Sequence, residues 1–523
     1  MFCKLFSNRV FSVCVLSLFG LLSVQAATFT VTRTDDRNMT CSSNVDCSLR
    51  EAVNAANTLA GNDTIDFDAA VGTVQLAATL PSITTTININ GGAGVTVSGD
   101  AANFTFRAFL VPSGGNLSLN NLTVNNAKDI LGGGLHNQTG GMVSMTNCNF
   151  SGNSTTVTAG GGIFNDGMMT LTNTVVIANT AANQGGGIFN GINGVLTLNE
   201  STVSFNGDNG IGGGGIGNAG TLTVNRSTIY GNLTQGNGGG IFNNSATLNL
   251  TNSTVSFNSA FANNGGGVFN FGTSNIVNST ITDQNTAVQG GGIFNFGGSG
   301  VNLRNTIVAG NSSPNSPDVS GVFVTPMFNL IGKSDGSFSF TNGMNGNIVG
   351  TIAMPVDPLL LPIANNGGAT QTYALMSGAS PAANTGSNAL AVDPTTLLPL
   401  ATDQRGTGFP RIIGGRVDIG AFESPFAPSA ANVSVSGRVL TSAGRGIARA
   451  RVLISDINGV SRSTLTSSFG YYRFENIEIG QTYQMSVLAK GFSFDSLILT
   501  LKDELSDYDF IALPQKPGLF MIR

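Results

Sequence analysis

Tryptophan is absent from this 523-residue chain, and histidine occurs once, as His136. A Ser-His-Asp triad would have to rest on that one side chain. Charged residues make up 10% of the sequence and the net charge is −5, where an ordinary soluble domain carries about 25% charged residues. No basic patch is available to nucleic acid or anionic lipid, so no nucleic-acid partner is expected. Beyond the first residues no run of about 18 apolar positions could span a bilayer, and no transmembrane span is expected in the mature chain. What is abundant is glycine, 71 residues, within a chain that is 41% apolar. That balance excludes a disordered polyelectrolyte, which combines low hydrophobicity with high net charge.

Lys4 and Arg9, the apolar run from Val10 to Leu22, and the small residues ending at Ala26 read as a secretory signal peptide over residues 1–26. In an oxidising compartment the close pair Cys41 and Cys47 is the expected disulfide, leaving Cys148 odd and buried.

The segment Gln184-Gly185-Gly186-Gly187-Ile188-Phe189-Asn190 recurs in close variants ending at Asn165, Asn243, Asn270 and Asn295. Each is followed by a segment such as "LTLNESTVSFN" from Leu196, whose closing asparagines fall at Asn153, Asn179, Asn206, Asn232, Asn258, Asn285 and Asn311, 26 or 27 residues apart. A fixed period of this size means a solenoid. Alternating apolar positions, Thr/Val/Ile content and triple glycine argue for strands and against helices. Twenty-six residues at about 3.3 Å each must bend, and the natural breakpoints give three short strands per coil. Stacked coils then form a right-handed parallel β-helix, an all-β fold. Ile163, Ile188, Ile241, Val268 and Ile293 are expected to point inward. Phe164, Phe189, Phe242, Phe269 and Phe294 are expected to form an exposed aromatic ladder, a candidate strip for binding sugars or protein partners. Asn165, Asn190, Asn243, Asn270 and Asn295 are expected to stack as a structural ladder.

Ser48 and Glu51 make a capping box, and Leu49, Ala52, Val53 and Ala56 line one face of a short helix suited to covering the first coil. The predicted order is an N-terminal cap with early coils over 27–115, regular repeats over 116–311, and final coils with a second cap over 312–423. A linker over 424–431 and a small antiparallel β-sandwich over 432–523 follow.

Three stretches carry resemblances. "CSLREAVNAAN" from Cys47 resembles the CSLREA motif of bacterial secreted β-helix proteins, and the glycine-triplet units resemble polymorphic outer membrane protein repeats. The run from "NLIG" at Asn329 through "DQRG" at Asp403 to "DIGAFE" at Asp418 resembles the choice-of-anchor Q domain. Residues 432–513, with "GRGIARARV" and "FGYYRFENIEIG", are similar to a carboxypeptidase regulatory-like domain. The resemblances imply a protein secreted or attached to the bacterial cell surface or outer membrane.

From Asn116 to Asn311 the only charged residues are Lys128, Asp129, Asp166, Glu200, Asp208, Arg226, Asp283 and Arg304. Glycosidases need two carboxylates about 5–9.5 Å apart, and no two fall in matching slots of adjacent coils. No catalytic residue, metal site or cofactor is assigned. Asp403, Arg405, Arg411 and Asp418 form the densest charge cluster and are expected to lock the second cap. The favoured function is non-catalytic adhesion or extracellular ligand binding, with glycans or cell-surface proteins as partners. The alternative is a carbohydrate-active enzyme, of lyase or hydrolase type, with its site within 312–423.

Overall fold

The computed structural model describes residues 26–42, 45–100, 105–286, 288–297, 300–376, 379–425, 432–456, 460–478, 482–501 and 505–514. The expected signal peptide and most of the linker lie outside the described residues. The fold is a parallel β-solenoid of about ten turns, each of about 26 residues, followed by antiparallel sheet at the C-terminus. The chain divides into two compact units. One holds the residues up to Val224 with Ile229–Leu248 and Phe257–Gly272. The other holds Asn225–Thr228, Asn249–Ser256 and the residues from Thr273 on.

In the first unit the repeats stack in the predicted register. Ile163, Phe164 and Asn165 pair with Ile188, Phe189 and Asn190, which pair with Ile216, Gly217 and Asn218, and these with Ile241, Phe242 and Asn243. The second strand of each coil stacks likewise, Met169 on Leu196 and Leu171 on Leu198, and the third places Val176 on Val203. These inward aliphatic residues are 0–2% exposed, and each contributes about 1.5–3 kcal/mol relative to a solvated side chain. A fourth, two-residue strand such as Thr180–Ala181 follows the closing asparagine.

Gly185–Gly187 shows why three glycines run together. Gly185 has φ 62°, a left-handed corner that glycine enters without steric cost. A Cβ on Gly186 would lie 2.3 Å from the Gly207 carbonyl oxygen and 2.4 Å from that of Gly214. On Gly187 it would lie 2.8 Å from the Gly215 oxygen and 2.9 Å from Asn206 Cγ. The first glycine supplies the turn, and the next two let adjacent coils approach.

The N-terminal helix spans Leu49–Asn57 with both capping-box hydrogen bonds, Glu51 N to Ser48 Oγ at 3.2 Å and Ser48 N to Glu51 Oε2 at 2.8 Å. Its Leu49, Ala52, Val53 and Ala56 are buried. Cys41 and Cys47 are disulfide-bonded, and Cys148 is free and buried.

In the second unit Thr280 pairs with Ile307, Ile307 with Leu330 and Leu330 with Ile348. Further along, Asn432–Leu440 pairs antiparallel with Tyr471–Glu478 and parallel with Phe510–Ile511. A four-stranded antiparallel sheet is built from Arg451–Asp456, Ser461–Leu465, Thr482–Leu488 and Leu497–Thr500. Val435, Val439, Val452, Ile454, Met485 and Phe510 pack in one core. Among the described residues no helix is long and apolar enough to cross a membrane.

Candidate binding faces and a buried cap

Two asparagine columns run through the first unit. In the row that follows the phenylalanine slot, Asn137 Nδ2 donates to Asn165 Oδ1, Asn165 to Asn190, Asn190 to Asn218, Asn218 to Asn243 and Asn243 to Asn270, at 2.7–2.9 Å. Asn295, in the second unit, is 3% exposed and donates to the Val322 carbonyl. The closing asparagines form the second column. Asn206 Oδ1 accepts both the backbone N–H and the Nδ2–H of Asn179, at 2.9 and 3.0 Å, while Asn206 Nδ2 donates to the Val176 carbonyl. Buried amides satisfied in this way hold register, because a slip of one residue would orphan every donor in the column. Gln284, not Asn285, takes the closing slot in the second unit. Its N–H donates to Asn311 Oδ1 and its longer side chain reaches the Val255 carbonyl.

The phenylalanine row is less open than the sequence predicts. Phe242 and Phe269 are 6% and 7% exposed, and Phe164, Phe189 and Phe294 are half-buried. The glycine corner turns back against the ring-bearing residue: a Cβ on Gly132 would lie 3.0 Å from Phe164 Cβ. The rings also cover one another, Phe164 on Phe189 at 5.2 Å and Phe242 on Phe269 at 5.3 Å. His136 occupies the same slot one coil earlier and meets Phe164 edge-on. Its Nδ1 accepts from Arg107 Nη1 at 2.6 Å, and Arg107 Nε pairs with Asp129 at 2.9 Å. Burial, and then the Arg107 cation, push the imidazole down to about 4.

One set of exposed rings lies at the corner before the closing asparagine. Phe205 and Phe257 are 58% and 50% exposed, with φ 52° and 54°. Tyr230 stands between them, 5.3 Å from Phe205 and 5.4 Å from Phe257. The repeat "TVSFN" against "TIYGN" is the sequence signal for this row.

The second unit carries the predicted charge cluster, and it is buried. Asp403 and Arg405 pair at 2.7 Å with side chains 0% and 7% exposed, and Arg411 and Glu423 at 3.0 Å with side chains 1% and 0% exposed. Glu423 was not among the sequence-predicted members; burial pushes its carboxyl up to about 7. Arg405 lies between the rings of Phe409 and Phe422, at 4.1 and 3.9 Å. Asp418 accepts from the backbone N–H groups of Asn384 and Ser424. This cap lies along the third strand of the coils. Thr254 Oγ1 donates to Gln404 Oε1 at 2.6 Å, Thr228 Oγ1 to the Gln371 carbonyl at 2.8 Å, and Asn252 Nδ2 to the Thr402 carbonyl at 2.8 Å.

Residues 434–505 match the carboxypeptidase regulatory-like domain. Comparison with curated proteins finds no match. Among solved structures, a mannuronic acid specific polysaccharide family 6 lyase from human gut microbiota is similar at 10% identity, over 61% of this chain and 88% of that one, with a TM-score of 0.24. A likeness that slight carries no argument.

Proposed function

We propose that this chain is a non-catalytic, secreted or cell-surface β-solenoid that displays a long flank for extracellular ligand binding or adhesion. The carboxypeptidase regulatory-like domain serves it as a spacer or attachment module. The observation that carries the reading is the burial of Asp403, Arg405, Arg411 and Glu423 in two ion pairs. Asp403, Arg405 and Arg411 belong to the densest charge cluster of the stretch in which an enzymatic site was the alternative, Glu423 joins them in the structure, and a polymer cannot reach side chains buried to this degree. The Cys41–Cys47 disulfide supports an oxidising compartment.

The test is a panel of neutral and acidic polysaccharides incubated with the full chain and assayed for unsaturated or reducing ends. No release is expected. Turnover abolished by Asp403→Ala or Arg405→Ala would overturn the proposal.

A further inference from the structure

We infer that the chain is cut after Ala26 and that the α-amino group this frees on Ala27 becomes the charge partner of the buried Asp63, closing the first coil. The inference rests on the secretory part of the function proposed above and adds a processing point and a use for the new terminus.

The first support is a carboxyl group where the fold calls for an aliphatic side chain. Asp63 pairs with Ile87, and the column continues through Leu117, Val143, Met169 and Leu196. All five are 0–4% exposed. Asp63 heads this interior column and is itself 0% exposed. Its Oδ1 accepts from the Ala27 backbone N–H at 2.7 Å, while its Oδ2 is buried without a partner. No basic side chain among the described residues pairs with it. A buried carboxylate with an unused oxygen and no counter-charge is costly, and one amide hydrogen does not offset that cost.

The second support is the position of the cut. Val24 and Ala26 bracket Gln25 in the small-residue spacing of a leader-peptide cleavage site. Ala26 is exposed and Ala27 half-buried. From Ala27 onward the backbone is committed to the coil. The Ala27 carbonyl accepts from Thr64 N–H at 2.8 Å, and Thr28–Val31 pairs in parallel with Thr64–Phe67. A cut one bond later would remove the donor that Asp63 holds, whereas a cut after Ala26 keeps it and strengthens it.

The chemistry balances with water as the only co-reactant of the export peptidase. The Ala26–Ala27 amide bond breaks, the hydroxyl of water goes to the Ala26 carbonyl carbon, and its hydrogen goes to the Ala27 nitrogen. The proton that the new Ala26 carboxyl gives up is matched by the one the amine takes up. An amide nitrogen offers one hydrogen, and the ammonium offers three with a positive charge. The same nitrogen, already 2.7 Å from Oδ1, can then serve both oxygens of the carboxylate through charge-assisted bonds roughly twice as strong as neutral ones.

The experiment has two arms. In the first, the chain is expressed with its leader in a bacterial host, and the first residue of the exported protein is read by intact mass and N-terminal sequencing. Ala27 is expected. Any other first residue overturns the inference and leaves the display function standing, whereas protein held in the cytoplasm with residues 1–26 attached overturns both. In the second arm, chains released from a scarless fusion to begin at Ala27 or at Val24 are compared, each with and without Asp63→Asn, by hydrogen exchange over residues 28–31 and 62–67. The wild-type chain beginning at Ala27 is expected to exchange about tenfold or more slowly than the extended one. Asp63→Asn, which keeps an acceptor and removes the charge, should erase that advantage and leave the extended chain unchanged or slower. Equal exchange in the two wild-type chains overturns the pairing whether or not the variant folds, and so does an equal effect of the substitution in both.

Discussion

Arg107 Nη1 donates to His136 Nδ1 at 2.6 Å, which fixes the chain's one histidine as the neutral Nε2–H tautomer. Burial and the neighbouring guanidinium hold the imidazole near 4, below its ordinary value of 6.5. Asp129 and Asp166 face it and pull the other way, by less. Below pH 6.5 the unfolded chain takes up the proton and the folded chain does not, so this group's contribution to stability is intact above 6.5 and is lost as pH falls toward 4. The full loss is up to about 3 kcal/mol. Urea midpoints of wild type and His136→Phe, compared from pH 7 to pH 4, should converge at the acid end or cross in favour of the variant. A parallel pair of curves would refute the assignment.

Asp318 titrates with the opposite sign. Its Oδ1 replaces an asparagine at the end of the closing column, accepting from Asn311 N at 2.9 Å and Asn311 Nδ2 at 2.8 Å, while its Oδ2 is buried without a partner. Burial pushes the carboxyl up to about 6. The unfolded acid ionises first, so stability is lost as pH rises from about 4 through 6. Asp318→Asn keeps the acceptor and removes the charge. It should leave stability at pH 4 nearly unchanged and raise it at pH 8 by about 1–3 kcal/mol, measured by thermal melts at both pH values.

Glycine content alone does not say which glycines matter, but the stacking does. Gly186→Ala places a methyl group 2.3 Å from the Gly207 carbonyl oxygen of the next coil, whereas a Cβ on Gly207 itself meets nothing within 4 Å. The first substitution should cost about 2 kcal/mol or more through forced coil separation, and the second should stay within about 0.5 kcal/mol. Equal denaturation midpoints for the two variants would show that the coils do not stack at this spacing.

Gln404 holds the cap to the coils. Its Oε1 accepts from Thr254, and the two hydrogens of its Nε2 are shared among four acceptors within reach, the Ser227 carbonyl, Thr228 Oγ1, Thr370 Oγ1 and the Gln371 carbonyl. Gln404→Ala leaves several buried partners unsatisfied, at about 1–3 kcal/mol each before relaxation. Amide hydrogen exchange over residues 366–423 should accelerate while the columns from Asn137 to Asn243 keep their protection.

The coil period, the glycine corners, the Ser48–Glu51 capping box and the Cys41–Cys47 pair were legible because each is a short-range pattern repeated or closed within a few residues. The shift from Asn285 to Gln284 was not, since the two are adjacent and only the carbonyl of Val255 selects between them. Phe242 and Phe269 alternate with the buried aliphatic row as the strand period requires, yet they are covered, because alternation gives a direction and says nothing of the glycine corner and the neighbouring ring that close against each of them. Arg107 lies 29 positions from His136 and shares no motif with it. The aromatic corner was visible in "VSFN" and "IYGN" only to a reader who already knew that this position is left-handed.

A display module that is not an enzyme leaves a polysaccharide at its starting length. The most direct measurement is the size distribution of a neutral polysaccharide eluted from a sizing column after long incubation with an equal mass of the protein. Unchanged chain length is the predicted result. Shortened chains would contradict the account.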